Sequence, residues 1–244
     1  MWLLLCAADD VPALWAATRL TARGLDPLVV LTPELLHYSF KWEHRLHSDG
    51  ASSVSFTLAG GRRIDSAAIR GVLNRLPFVP PHIVGRLVAA DRQYALQEWT
   101  ALHMSWLSSL RAPVLNLPVM EGLCGAWRHP SEWAYLAGEA GLTTEVYRQG
   151  VPGGTAVPHA AITTRGAAMV RTVIAIDGQG IDEHLAEDLC DSCGRLGVLA
   201  KTRLLGVDLN ARTGAFIGAS PRPDLREGGE PVIEALFSSL GGCA

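Results

Sequence analysis

The stretch RLLGVDLNARTGAFIGASPRPDL, residues 203–225, decides how the rest of this chain is read. An apolar run at 204–209 is followed by a polar turn containing Gly214, and a second apolar run at 215–219 breaks at Ser220 and Pro221. Two apolar runs split by a short turn predict a β-hairpin. Its core carries one acid, Asp208, while Asp224 and Glu227 lie beyond Pro221 and Pro223. Magnesium seeks near-octahedral oxygen coordination, from carboxylates together with phosphates and waters. On this hairpin Asp208 is the first candidate ligand and Asp224 the second.

Outward from the hairpin, the pattern is that of an α/β protein. Residues 2–7 and 28–31 are buried-type strands flanking a helical pattern at 11–23 that stops at Gly24. A β-α-β opening of this kind predicts a parallel sheet with a right-handed crossover. Strands are expected at 42–47, 54–58, 69–76 and 114–117, with Arg62-Arg63 in a solvated turn after Gly60-Gly61. Apolar residues at helical spacing predict a long helix at 91–110, with Asp91 complementing its N-terminus. The Pro- and Gly-containing stretch 117–127 marks a boundary. We expect an N-terminal α/β domain over 1–120 and a second domain over 121–244. The second half reads as helices at 130–140, 181–196 and 231–240, with strands at 143–148, 160–164 and 168–176 and a Gly/Pro loop at 151–158.

Composition sets the outer limits. The chain has 244 residues, 48% of them apolar, with 7 Trp, enough for a packed core. A net charge of −3 gives no basic footprint for nucleic acid. No apolar run is long enough for a membrane span. The opening MWLLLCAADD lacks a basic leader and reads as a strand. Five Cys without an export signal imply reduced thiols and a cytoplasmic protein. Cys190 and Cys193 have CxxC spacing, and we read them as small hydrophobes on the buried side of a helix. His37, Lys41, Glu43, His44 and His47 form a cluster that reads as a surface loop or interaction patch. Trp99, Trp106, Trp127 and Trp133 read as core.

The order of these pieces resembles the ATP-grasp ligases, particularly the branch that ligates amino acids or peptide side chains. The resemblance is carried by VLNRLPFVP (72–80), DRQYALQEWTALHMSWLSSL (91–110), APVLNLP (112–118), WAYLAGEAGLTTEVY (133–147) and the hairpin with its closing helix. It implies an N-terminal open parallel-type sheet with helices, followed by a reduced ATP-grasp-like α+β half. In that family the last hairpin pairs a GVD-like strand with a Glu-x-Asn strand, and these side chains hold the magnesium ions that bridge the nucleotide phosphates. Here Asp208 matches the Asp, but Gly218 stands at the Glu position and Ser220 at the Asn position. The chain is also short for such a ligase, and the shortfall falls between Thr144 and Ile181. That stretch contains no Lys, since the only two are Lys41 and Lys201. Arg148, Arg165 and Arg171 are the positive charges left to meet phosphates, and Arg does not simply replace a point-charge Lys.

The expectation is therefore a catalytically degenerate ATP-grasp-like protein with no cofactor. It would act as an accessory or scaffold on a protein or peptide partner, with a homodimer as a further expectation and no nucleic-acid or membrane role. The alternative is a minimal ATP-dependent carboxylate–amine ligase, with ATP and magnesium held by Asp208, Asp224 and the three arginines. A third reading is a small-molecule binding module at the carboxyl ends of the N-terminal strands.

Overall fold

The structure is a computed structural model, and it describes residues 1–48, 52–144 and 169–242. The chain divides into two compact units, one of residues 1–127 with 229–244 and the other of residues 128–228.

The first unit is built on a parallel sheet. Strands β1 (Trp2–Leu5) and β2 (Leu28–Leu31) are joined by helix α1 (Val11–Ala22). The Asp10 carboxylate caps α1 by accepting a hydrogen bond from the Ala13 amide at 3.1 Å. After β2 comes a short helix α2 (Pro33–His37), which the sequence reading passed over. Its signal was present: Thr32 accepts from the Leu35 amide at 3.3 Å, and Pro33 follows at the first helical position. An antiparallel sheet of β3 (Phe40–Leu46), β4 (Ser52–Thr57) and β5 (Arg63–Asp65) comes next. Arg63 thus opens a strand instead of sitting in a turn. The reversal ends at Gly61, whose φ of +81° suits glycine.

Strand β6 (Gly71–Asn74), helix α3 (Ala89–Ser108) and strand β7 (Val114–Leu115) complete the run. The parallel sheet has the order β2-β1-β6-β7. Every residue of β1 and β6 is buried, as expected for strands covered on both faces. Leu5, Leu31, Phe56, Ile64, Val72 and Trp106 form the centre of the core. Trp42 stacks on Phe56 with ring centroids 4.1 Å apart. Trp127, expected in the core, is 69% exposed.

In the second unit, helices α4 (Pro130–Glu139) and α5 (Glu187–Leu199) accompany an antiparallel sheet of order β11-β10-β8-β9. Its strands are β8 (Val170–Ile176), β9 (Gln179–Ile181), β10 (Leu204–Asn210) and β11 (Phe216–Ser220). Trp133, Ala137, Val173, Cys193, Leu196 and Val207 share one core. The predicted helix at 181–196 begins later, at Glu187, because Gln179–Ile181 pairs with β8 as a hairpin strand. The expected strands at 143–148 and 160–164, the loop at 151–158 and Cys243 lie wholly or largely outside the described residues.

The closing helix α6 (Gly229–Ser239) belongs to the first unit, so the chain does not divide simply at 120. Glu230 pairs with Arg19 and with Arg23 of α1 or its C-terminal cap, the latter at 3.0 Å. The Trp2 indole N–H donates to the Leu240 carbonyl at 3.0 Å. The 117–127 stretch is also tied to this unit. Asn74, fully buried, donates to the carbonyls of Asn116 at 2.9 Å and Leu123 at 2.6 Å. Among the described residues no helix is long and apolar enough to cross a membrane.

Candidate functional site

The hairpin predicted from 203–225 is formed by β10 and β11. Asp208 lies opposite Gly218 on β11 and opposite Thr172 on β8. Side chains alternate along a strand. Leu205, Val207 and Leu209 enter the core of the second unit, so Asp208 faces the other side with Thr172, Gly218 and Ser220. The Thr172 hydroxyl donates to Asp208 Oδ1 at 2.9 Å.

The two glycines on this face differ sharply. A Cβ placed on Gly218 would meet nothing within 4 Å, so the space directly across from Asp208 is open. A Cβ on Gly206 would lie 2.7 Å from Pro223 Cβ. The chain beyond β11 folds back against Gly206, which explains why the residue two before the Asp is glycine. Ser220 uses its hydroxyl locally, accepting from the Arg222 amide at 3.2 Å.

Asp224, the second candidate ligand, already has a cation. Arg226 Nε donates to its Oδ1 at 2.8 Å and Arg226 Nη2 to its Oδ2 at 2.5 Å, while the Arg226 amide donates to Oδ1 at 3.0 Å. Among the described residues, no three His, Cys, Asp or Glu side chains are grouped to hold a metal ion. One half-buried carboxylate bonded to a threonine, a serine engaged in its own turn and an aspartate paired with arginine do not fit a magnesium ion.

Arg171, the predicted phosphate ligand that lies among the described residues, does not share this face. Arg171 lies opposite Leu209, on the core side of β8, and forks onto Asp182, with Nε 2.6 Å from Oδ2. Burial opposes ionisation of Asp182, but the Arg171 hydrogen bonds and the His184 amide outweigh it and hold the carboxyl below its ordinary range. Arg171 is thus a brace between β8 and the chain after β9. Arg148 and Arg165 lie outside the described residues.

Cys190 and Cys193 fall in the first two turns of α5, not late in it as the sequence suggested. They remain core thiols. Cys193 is fully buried, and burial pushes its thiol up to about 12. Burial, then Asp182 and Asp191, also raise Cys190. Residues three apart on a helix hold their Cβ atoms about 5–6 Å apart, well beyond the roughly 3.8 Å of a disulfide. The histidine-rich cluster disperses along β3. His44 meets Ser52 at 2.8 Å, His47 meets Ser53 at 3.3 Å, Arg45 donates to Glu43 at 2.8 Å, and His37 turns to the aromatic residues of α3.

The sequence reading missed a buried ion pair. Arg75 follows β6, Asp10 precedes α1, and the guanidinium forks onto the carboxylate at 2.9 and 3.1 Å. The two side chains are 3% and 8% exposed. They lie at the carboxyl ends of β6 and β1, where the strand order of the open sheet reverses. Open α/β sheets commonly bind ligands there; here an internal pair occupies it. An arginine ending a buried apolar strand was the available signal. Beside it, a small cavity of about 10 Å³, room for one water, is lined by Pro33, Leu76, Phe78, Trp99 and two histidines.

No protein-family model matches the chain, and no curated protein matches it. Solved structures do. The macrocyclase MdnB from Microcystis aeruginosa MRC is 14% identical, aligned over 99% of each chain, with a TM-score of 0.63. The macrocyclase MdnC from the same organism, bound with precursor peptide MdnA, is 11% identical over 100% of both chains, with a TM-score of 0.68. A Chryseobacterium gregarium RiPP-associated ATP-grasp ligase, in complex with ADP and a leader and core peptide, is 11% identical over 100% of this chain and 97% of that one, with a TM-score of 0.71. The chain has the ATP-grasp ligase fold.

Proposed function

On the ATP-grasp fold, we propose that this chain is a catalytically degenerate member of the architecture that binds a peptide or protein partner as an accessory. One observation carries the proposal: Asp208, the matching metal ligand, faces Gly218 across open space and is hydrogen-bonded to Thr172. Phosphoryl transfer depends on positioned charge more than on covalent chemistry from the protein. Among the described residues this face offers one carboxylate, too few to clamp bridging metal ions. The Lys-free stretch 145–180 and the commitment of Arg171 to Asp182 support the same reading. The peptide partner is inferred from similarity, because MdnC and the Chryseobacterium ligase were solved with peptides bound.

The test is calorimetric titration of the intact chain with ATP and magnesium. We expect no saturable heat at nucleotide concentrations up to about 1 mM, where binding would be worth only about 4 kcal/mol. Micromolar, magnesium-dependent binding that disappears in Asp208→Ala would overturn the degenerate reading.

A further inference from the structure

Two histidines of the first unit share an unusual setting. His37 ends α2 and His103 lies in the second half of α3. Both line the small cavity described above, and both contact one indole: their ring centroids lie 5.2 and 6.0 Å from that of Trp99. His103 is 4% exposed, and its Nδ1 donates to the Trp99 carbonyl at 2.8 Å. His37 is half-buried, yet its Nδ1 is sealed from solvent without a hydrogen-bond partner among the described residues.

The remaining cavity wall is apolar, and no carboxylate lines it. Charged groups on the surrounding elements are engaged or lie outside the cavity wall. Glu34 of α2 is held by His82 of the 3-10 turn Pro81–Val84 at 2.8 Å. Arg75 is locked to Asp10, and Arg92 of α3 donates to the carbonyls of Leu87 and Gly85. Asp91 and Glu98 are exposed on α3, Glu121 is exposed in the 117–127 stretch, and His44 of β3 meets Ser105.

We propose that His37 and His103 form an acid-released latch between α2 and α3: uncharged they close on Trp99, and charged they part. A protonated imidazole in this cavity would find no counter-charge, and the second proton would also be opposed by the first. Trp99, shared by both rings, offers cation–π attraction of about 0.5–2 kcal/mol, and Tyr38 beside His37 and Trp106 beside His103 are further aromatic neighbours, but none of these rings carries a counter-charge. Burial lowers the pKa of both residues from the ordinary 6.5, and at His103 it outweighs the opposing hydrogen bond to the Trp99 carbonyl. The closed form is therefore fully stable above about pH 6.5 and loses stability as pH falls below it. Every unit of difference between closed and open pKa shifts the ratio of the two forms about tenfold. His82 Nε2 lies 2.8 Å from a Glu34 carboxylate oxygen, so the 3-10 turn stays tied to α2 and the parting falls between α2 and α3.

Hydrogen exchange of the intact chain at about pH 7.5 and about pH 5, corrected for the intrinsic rate, tests the latch. Peptides from α2 and the Pro81–Val84 turn should lose at least about tenfold protection at the acid pH. Peptides from α4 and α5 should not. His37→Asn, at a half-exposed position that tolerates an amide, should remove much of that acid response. His103→Gln is a second variant that reads the other imidazole. Protection of α2 unchanged at acid pH, an equal loss in α4 and α5, or a full acid response in His37→Asn would overturn the proposal.

Discussion

Gly206 and Gly218 sit on the same face of one hairpin, yet their substitutions should behave oppositely. At Gly206 a methyl group would press on Pro223, 2.7 Å away, and force the returning chain off the sheet. We expect Gly206→Ala to cost about 1–3 kcal/mol in chemical denaturation, the usual cost of overpacking. Gly218→Ala enters open space and should stay within about 0.5 kcal/mol of the parent. The same opening makes the proposed loss of function testable by gain. Gly218→Glu with Ser220→Asn would put a carboxylate directly across from Asp208 and an amide two residues further along the same face. Manganese titration followed by electron paramagnetic resonance should show binding in the double variant, abolished by adding Asp208→Ala, and none in the parent. No binding in the double variant would mean that the backbone itself no longer presents these positions to a cation. At the buried pair, Asp10→Ala removes the carboxylate that the buried Arg75 guanidinium forks onto and uncaps α1. It should cost about 3–5 kcal/mol, visible as a lowered denaturation midpoint with unchanged slope.

Among the elements, those with strong local patterns were legible in the sequence and those set by distant partners were not. The apolar runs of β1, β2, β10 and β11 and the helical spacing of α1, α3 and α4 each reappear near their expected bounds. The start of α5 does not. Leu185, Leu189, Cys193 and Leu196 keep helical spacing back to 181, but Arg171 draws Asp182 into an ion pair and β9 pairs with β8 first. Close backbone approach fixes that hairpin under α5. A Cβ on Gly194 would lie 2.1 Å from the Gly178 carbonyl oxygen, and one on Gly180 would lie 2.2 Å from that of Cys190. Gly194→Ala should therefore destabilise the second unit by more than the usual helix-propensity gain of about 1 kcal/mol. Thermal melts of this variant beside Gly138→Ala, where the helix has open space, would check it. The candidate site was legible only in part for the same reason. Residue types at 208, 218 and 220 can be read directly, but pairing of Asp224 with Arg226 and Arg171 with Asp182 depends on side-chain geometry.

At the scale of the whole molecule, the chain leaves the first unit at residue 127 and returns to it at 229. Sequence proximity assigned α6 to the second half, because a helix pattern at 231–240 does not announce which sheet it covers. Its burial does. Val232, Ile233 and Leu236 are completely buried, and Leu240 is 1% exposed. Each such side chain is worth about 1.5–3 kcal/mol when removed from water, so together they approach the whole stability of a typical domain, about 5–15 kcal/mol. A close steric fit adds to this: a Cβ on Gly71 of β6 would lie 2.5 Å from the Leu240 carbonyl oxygen, the same oxygen that accepts from Trp2. A chain ending at Gly228 should therefore lose the cooperative melting of the first unit. Hydrogen exchange should show α1 and β1 unprotected while α5, whose core draws nothing from α6, keeps its protection. A truncated chain melting within about 5 °C of the full chain, a shift worth only about 1 kcal/mol, would show that α6 lies on the first unit without holding it together.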